Sequence, residues 1–100
     1  MFGLKPSDID SIRKTLHQYR DVEEALIYGS RAMGNFKPGS DVDIALKGKI
    51  TLETVQNISA DLNERSPLPY KFDVIAYSMI DHKPLQDHID HFGKLFYKPV

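Results

Sequence analysis

The stretch Ser40-Asp41-Val42-Asp43-Ile44-Ala45-Leu46 sets the tightest limit on what this chain can become. It alternates polar and apolar residues and then turns wholly apolar, the pattern of a β-strand with one polar end. Residues i and i+2 of a strand share a face, so Asp41 and Asp43 project together, roughly 7 Å apart along the backbone. Val42 and Ile44 then point the other way, into a core. A lone strand is unstable in water, so the rest of the chain must build a sheet around this one.

Two further runs supply that sheet. Val22 to Tyr28 carries the dense segment Ala25-Leu26-Ile27-Tyr28 and reads as a strand running into Gly29. Tyr70 to Tyr77 (Tyr-Lys-Phe-Asp-Val-Ile-Ala-Tyr) reads as a third. Between and around them the period changes to that of helices. Ile9, Ile12, Leu16 and Tyr19 form a stripe that predicts a helix over Ser7–Arg20, with Ser7 as its cap and Asp10 three residues on. Thr51 is expected to cap a second helix with the stripe Leu52, Val55, Ile58, Leu62, ending near Ser66 because Pro67 and Pro69 follow. A last helix is expected from near Pro84 to Gly93, and the apolar tail Leu95-Phe96-Tyr97 is expected to pack back on the body. The order helix–strand–strand–helix–strand–helix predicts an α/β or α+β sandwich with a small central sheet.

One hundred residues are enough for one domain, taken here as residues 1–100, and too few for two. With 41% apolar and 27% charged residues the composition is that of an ordinary soluble globular protein. The absence of cysteine removes disulfides, thiolate metal sites and cysteine nucleophiles, and fits a reducing cytoplasm. No run of eighteen apolar residues predicts a membrane span, and Met1 to Pro6 lacks the pattern of a secretory signal. A net charge of −1 with scattered basic residues argues against a partner made of long nucleic acid, though a short RNA end escapes that argument.

Three features carry chemistry. Gly29-Ser30 closes the first strand, where a glycine lets backbone approach a ligand and a serine offers a hydroxyl and N–H groups to phosphate oxygens. Alone, Gly-Ser is a common turn. Asp41 and Asp43 repel one another unless a cation sits between them, and oxygen-only donors at this spacing suit Mg²⁺. Asp73 stands inside the apolar run Phe72, Val74, Ile75. It could face water at a strand edge, pair with Lys71 or Arg31, or be the third carboxylate of a metal site and take a proton from an attacking hydroxyl.

In combination these residues resemble the polymerase-β-like nucleotidyltransferase superfamily, and most closely its smallest members, the minimal nucleotidyltransferases. The family pattern is Gly-Ser, ten residues, then Asp-x-Asp on the next strand, with a third acid on a later strand. Here Gly29-Ser30 is followed by Arg31 to Ser40 and then Asp41-Val42-Asp43, with Asp73 on the expected strand. The resemblance spans the first helix to Gly93. It implies a small mixed sheet packed against helices, with a short helix after the first strand. It further implies triphosphate binding by Gly29 and Ser30, with Arg31 and Ser40 among the nucleotide-binding residues of the same loop. Arg31 either contacts phosphate or braces the loop, and both stay open. Asp41, Asp43 and Asp73 would hold two Mg²⁺ ions around ATP, with Asp73 also serving as base. Met33 stands where many relatives carry a basic residue, and Lys37 could substitute for it.

The resemblance also implies a prokaryotic cytoplasmic antitoxin that binds a HEPN-domain toxin and transfers AMP to a tyrosine of it. Larger relatives append a helical domain that covers the nucleotide. Here that wall would come from another copy, another protein or the acceptor. Two alternatives remain: a silent module that neutralises its partner by contact, and a small-molecule nucleotidyltransferase. The pairs Asp87-His88 and Asp90-His91 on the last helix suggest zinc but read better as solvated residues. His82 could cap that helix, and His17 falls on the exposed side of the first. Phe92, Phe96 and Tyr97 form either a partner-facing patch or the closure of the core.

Overall fold

The computed structural model describes residues 1–99. Chain order is α1 (Pro6–His17), β1 (Val22–Tyr28), α2 (Ser30–Met33), β2 (Val42–Gly48), α3 (Leu52–Asn63), β3 (Phe72–Ala76), a 3₁₀ turn (Tyr77–Met79), α4 (Lys83–Phe92) and β4 (Lys94–Tyr97). The strands form one mixed sheet in the order β3-β2-β1-β4. β1 pairs antiparallel with β2 and with β4, and β2 pairs parallel with β3. A parallel neighbour needs a crossover, and α3 provides it. The expected α/β class with a small mixed sheet is therefore borne out.

Alternation along the strands sends one set of side chains to each face. Ala25, Ile27, Val42, Ile44, Leu46, Phe72 and Val74 meet Ile9, Ile12 and Leu16 of α1 and Ile58 and Leu62 of α3 in the main core. Complete burial of each such aliphatic side chain stabilises the fold by about 1.5–3 kcal/mol. The opposite face is thinner. Tyr28 and Ala45 pack there with Ile89 of α4, flanked by Leu26, Ile75 and Leu85. No helix among the described residues is long and apolar enough to cross a membrane.

Several element ends differ from expectation. α1 begins at Pro6, with Lys5 as an extended N-cap and no side-chain cap. Proline has no N–H to satisfy and presets the helical φ, so the start moves ahead of Ser7. Ser7 sits in the first turn, where its carbonyl accepts from the Ser11 hydroxyl at 3.1 Å. α1 stops at His17, and the chain leaves through turns closed by Gln18 N–H to Thr15 O and Tyr19 N–H to Leu16 O. Tyr19 thus lies beyond the helix and donates its hydroxyl to Asp61 of α3. Thr51 caps α3 as expected, accepting from Thr54 N–H at 3.2 Å, and the helix ends at Asn63.

β3 is shorter than the predicted run, because Tyr70 donates to Asp8 at 2.7 Å and Tyr77 opens the 3₁₀ turn. His82 holds the N-cap position of α4 without a capping side-chain bond. The tail does pack back, but as the edge strand β4, whose Phe96 and Tyr97 are buried. Four residues in an exposed-exposed-buried-buried pattern give no period-two signal. Phe96 and Tyr97 thereby close the core, whereas Phe92 remains exposed.

Candidate active site

Three strands end together on the thin face of the sheet. Tyr28 at the end of β1 is the register partner of Asp43, and Asp43 is the register partner of Asp73 on β3. Register neighbours on adjacent strands stand about 5 Å apart and share a face. Tyr28, Asp43 and Asp73 therefore form a row across three strands. β3 is an edge strand, and Asp73 is exposed on it. Among the described residues Asp73 forms an ion pair with neither Lys71 nor Arg31. Asp41 is also exposed, one step before β2 begins.

The charges act on one another. Asp43 is pushed up from 3.8 to about 6, by burial first and then by Asp73 and Asp41, with His88 and Arg31 opposing. Tyr28 is held well above its ordinary value, again by burial first and then by Asp73 and Asp43. A carboxylate raised in this way beside two acidic neighbours is what a cation site looks like electrostatically before a cation neutralises it. The donors are oxygens only, which fits a hard divalent ion. As they stand, no three Asp, Glu or His side chains among the described residues are gathered tightly enough to enclose one.

Gly29 links this row to the loop that follows. Its backbone has φ 73° and ψ −154°, a conformation essentially confined to glycine. A Cβ on Gly29 would run into the Asp43 carboxylate, so only glycine lets the loop cross this close. Ser30 then opens α2, whose first N–H groups have no partner within the helix. Gly34 ends α2 in the left-handed region at φ 84°.

Arg31 is only 3% exposed, and it braces the loop. It donates from Nε and Nη2 to Ser40 O at 3.2 and 2.8 Å, and from Nη1 to Phe2 O at 2.9 Å. Phe36 and Tyr70 flank its guanidinium, with ring centroids 5.2 and 5.3 Å away. Ser40 is engaged in the same loop, its hydroxyl accepting from Lys37 N–H at 2.8 Å. Met33 and Lys37 are exposed.

The structure also adds a residue and corrects its reading. His88 is not a solvated surface histidine. Its Nε2 accepts from Gly29 N–H at 3.0 Å, and its ring lies between Tyr28 and Phe92. The available signal was spacing, because His88 lies three residues after Leu85 and four before Phe92, on the apolar face of α4. His17 is exposed as expected and reaches the Tyr97 hydroxyl through Nδ1 at 3.1 Å.

The family model described as polymerase beta, nucleotidyltransferase, matches residues 7–99. The chain belongs to this family. No match is found among curated proteins. Among solved structures this nucleotidyltransferase is similar to a toxin–antitoxin with AMP-PNP, at TM-score 0.75 and 19% identity over 92% of this chain and 74% of the other. It is also similar to the toxin–antitoxin MntA–HepT, at TM-score 0.70 and 16% identity over 95% and 74% of the two chains. A third similar structure is the tri-AMPylated Shewanella oneidensis HEPN toxin in complex with MNT antitoxin. There the TM-score is 0.70 at 16% identity, over 96% of this chain and 74% of that one. At such identities the likeness speaks for the nucleotidyltransferase fold. Gly29-Ser30 and Asp41-Val42-Asp43 lie within the residues that the family model matches.

Proposed function

We propose that this nucleotidyltransferase transfers AMP from ATP, with Mg²⁺, to a tyrosine hydroxyl of a HEPN-domain toxin, and so acts as its antitoxin in a prokaryotic cytoplasm. The observation that carries this reading is the row of Asp43 and Asp73 abreast on neighbouring strands, with Gly29 pressed against Asp43 and Ser30 beside it. The AMPylated toxin and the AMP-PNP complex among the similar structures support AMP as the transferred group and a HEPN protein as its acceptor.

In this reading Asp41, Asp43 and Asp73 would hold Mg²⁺. Bound there, the metal supplies neutralisation of charge developing on the triphosphate. The chain's own residues do the rest. The Ser30 hydroxyl and the first free N–H groups of α2 donate to phosphate oxygens. Arg31, through Ser40 O and Phe2 O, holds the loop in place without spending its own donors on the ligand. Asp73, exposed on its edge strand, takes the proton from the acceptor hydroxyl as the oxygen bonds to the α-phosphorus and pyrophosphate departs. Exposure of Asp41 and Asp73 leaves one side of the site open, and the acceptor protein closes it.

The test is incubation with α-labelled ATP, Mg²⁺ and a purified HEPN-domain partner, followed by mass spectrometry of the partner. The expected product is partner carrying one or more AMP groups on tyrosine. Asp43→Asn should slow transfer on the order of 10³-fold. Equal labelling by wild type and variant would overturn the assignment.

The alternative reading is a contact-only antitoxin. In that case Asp43→Asn would neutralise the partner as well as wild type does, with no AMP on either.

A further inference from the structure

One interaction at the nucleotide loop comes from outside both motifs. Nε2 of His88 accepts the Gly29 N–H at 3.0 Å. Nε2 is the acceptor in this contact and the backbone amide is the donor. The ring has little freedom. It stands edge-on to Tyr28, with centroids 6.3 Å apart at 76°, and 5.3 Å from the Phe92 ring. The helix that carries it is anchored by Ile89, which is buried against Tyr28 and Ala45. On its other side Gly29 leaves no space for a methyl group before Asp43. His88, Gly29 and Asp43 thus form a contiguous stack from α4 to β2.

We propose that His88 is a positioning residue for nucleotide transfer: by holding the Gly29 amide it fixes where Ser30 meets the triphosphate and couples that loop to α4. The proposal rests on the nucleotidyltransferase reading of the site. It has a direct chemical corollary. The Gly29 N–H is already committed, so the donors left for phosphate begin at Ser30. Without an acceptor at position 88, the half-buried Gly29 N–H loses its partner and the loop loses the bond that ties it to α4. Ser30 would then move away from the geometry that transfer needs, and small misplacements are costly to rate.

His88→Leu removes the acceptor and keeps apolar bulk between Tyr28 and Phe92. His88→Gln replaces Nε2 with a carbonyl oxygen at similar reach. Two readouts are taken on wild type and both variants: hydrogen exchange of the Gly29 amide by NMR in the nucleotide-free protein, and kcat and KM for ATP in the transfer reaction. In the Leu variant Gly29 exchange should speed at least about tenfold and kcat should fall about tenfold, while KM changes by less than about threefold. The Gln variant should recover most of both.

Unchanged Gly29 exchange in the Leu variant, or equal loss of kcat in the Leu and Gln variants, would overturn the proposal. Should wild type transfer no AMP, the reaction assignment falls, while Gly29 exchange in the two variants still decides whether His88 holds the loop.

Discussion

At the scale of single residues, Asp43 has two opposed roles. Its ordinary pKa of 3.8 rises to about 6 in the folded protein, so folding favours its protonated form. Below about pH 3.8 both folded and unfolded states hold the proton, and Asp43 makes no difference to stability. Between the two values the folded state holds the extra proton, and above about pH 6 the ionised carboxylate carries its full cost. Asp43→Asn removes that cost. In metal-free buffer at pH 7 the variant should be more stable than wild type, on the order of 1 kcal/mol after solvent screening, or about 4–8 °C in Tm. The gain should vanish as the melts are repeated toward pH 4. A variant less stable than wild type at pH 7 would contradict the electrostatic account. Arg31 is the opposite case, a charge whose partners make it structural. A lysine there cannot span Ser40 O and Phe2 O or stack between Phe36 and Tyr70. Arg31→Lys should cost about 2–3 kcal/mol in urea unfolding. Indifference to the swap would mean the brace carries no energy.

At the scale of elements, what was legible in the sequence and what was not divide along sequence separation. Asp41 and Asp43 point to a strand, which begins at Val42, and to a candidate site, because their chemistry and period are written in three consecutive residues. Gly29-Ser30 is legible through a fixed interval to that pair. His88 meets Gly29 across 59 positions, and Arg13 donates to Phe96 O across 83, so helical spacing can put His88 on an inward face but no local pattern names either partner. β4 is too short to show a period, and its strand geometry is imposed by pairing with β1.

The outer edge of β3 holds another such device. The Asn63 side chain accepts from Phe72 N–H at 2.8 Å and donates to Phe72 O at 2.9 Å, occupying both groups as a neighbouring strand would. This blunts an edge otherwise open to pairing. Asn63→Ala should destabilise the protein by about 1–3 kcal/mol and raise its tendency to associate, read by urea unfolding and light scattering. An unchanged midpoint would show that water replaces the amide without loss.

At the scale of the whole molecule, the main core lies under one face of the sheet and the candidate site on the other. α1 and α3 provide the buried contacts, while the acids occupy the thin face near α4. The main core and the candidate site are thus separated in space, and ligand binding there should add stability without rearranging the core. Mg²⁺ and ATP together at 100 times the dissociation constant should add about 2.7 kcal/mol to unfolding, and neither should add this much alone. The Asp43→Asn variant should gain nothing from the pair. Equal gain by variant and wild type would place the nucleotide elsewhere.

The opening and closing segments of the chain meet. The Phe2 ring lies 6.1 Å from that of Phe96, and Arg13 of α1 holds the Phe96 carbonyl at 2.9 Å. The segments around Phe2 and Phe96 are thus side by side in the fold. A circular permutant with residues 99 and 1 joined by a short Gly/Ser bridge and new termini at the exposed Glu64-Arg65 turn should keep every contact described above. Such a rearranged chain should still place Gly29 against Asp43, and it would offer an attachment point for a fused acceptor at a different place on the surface.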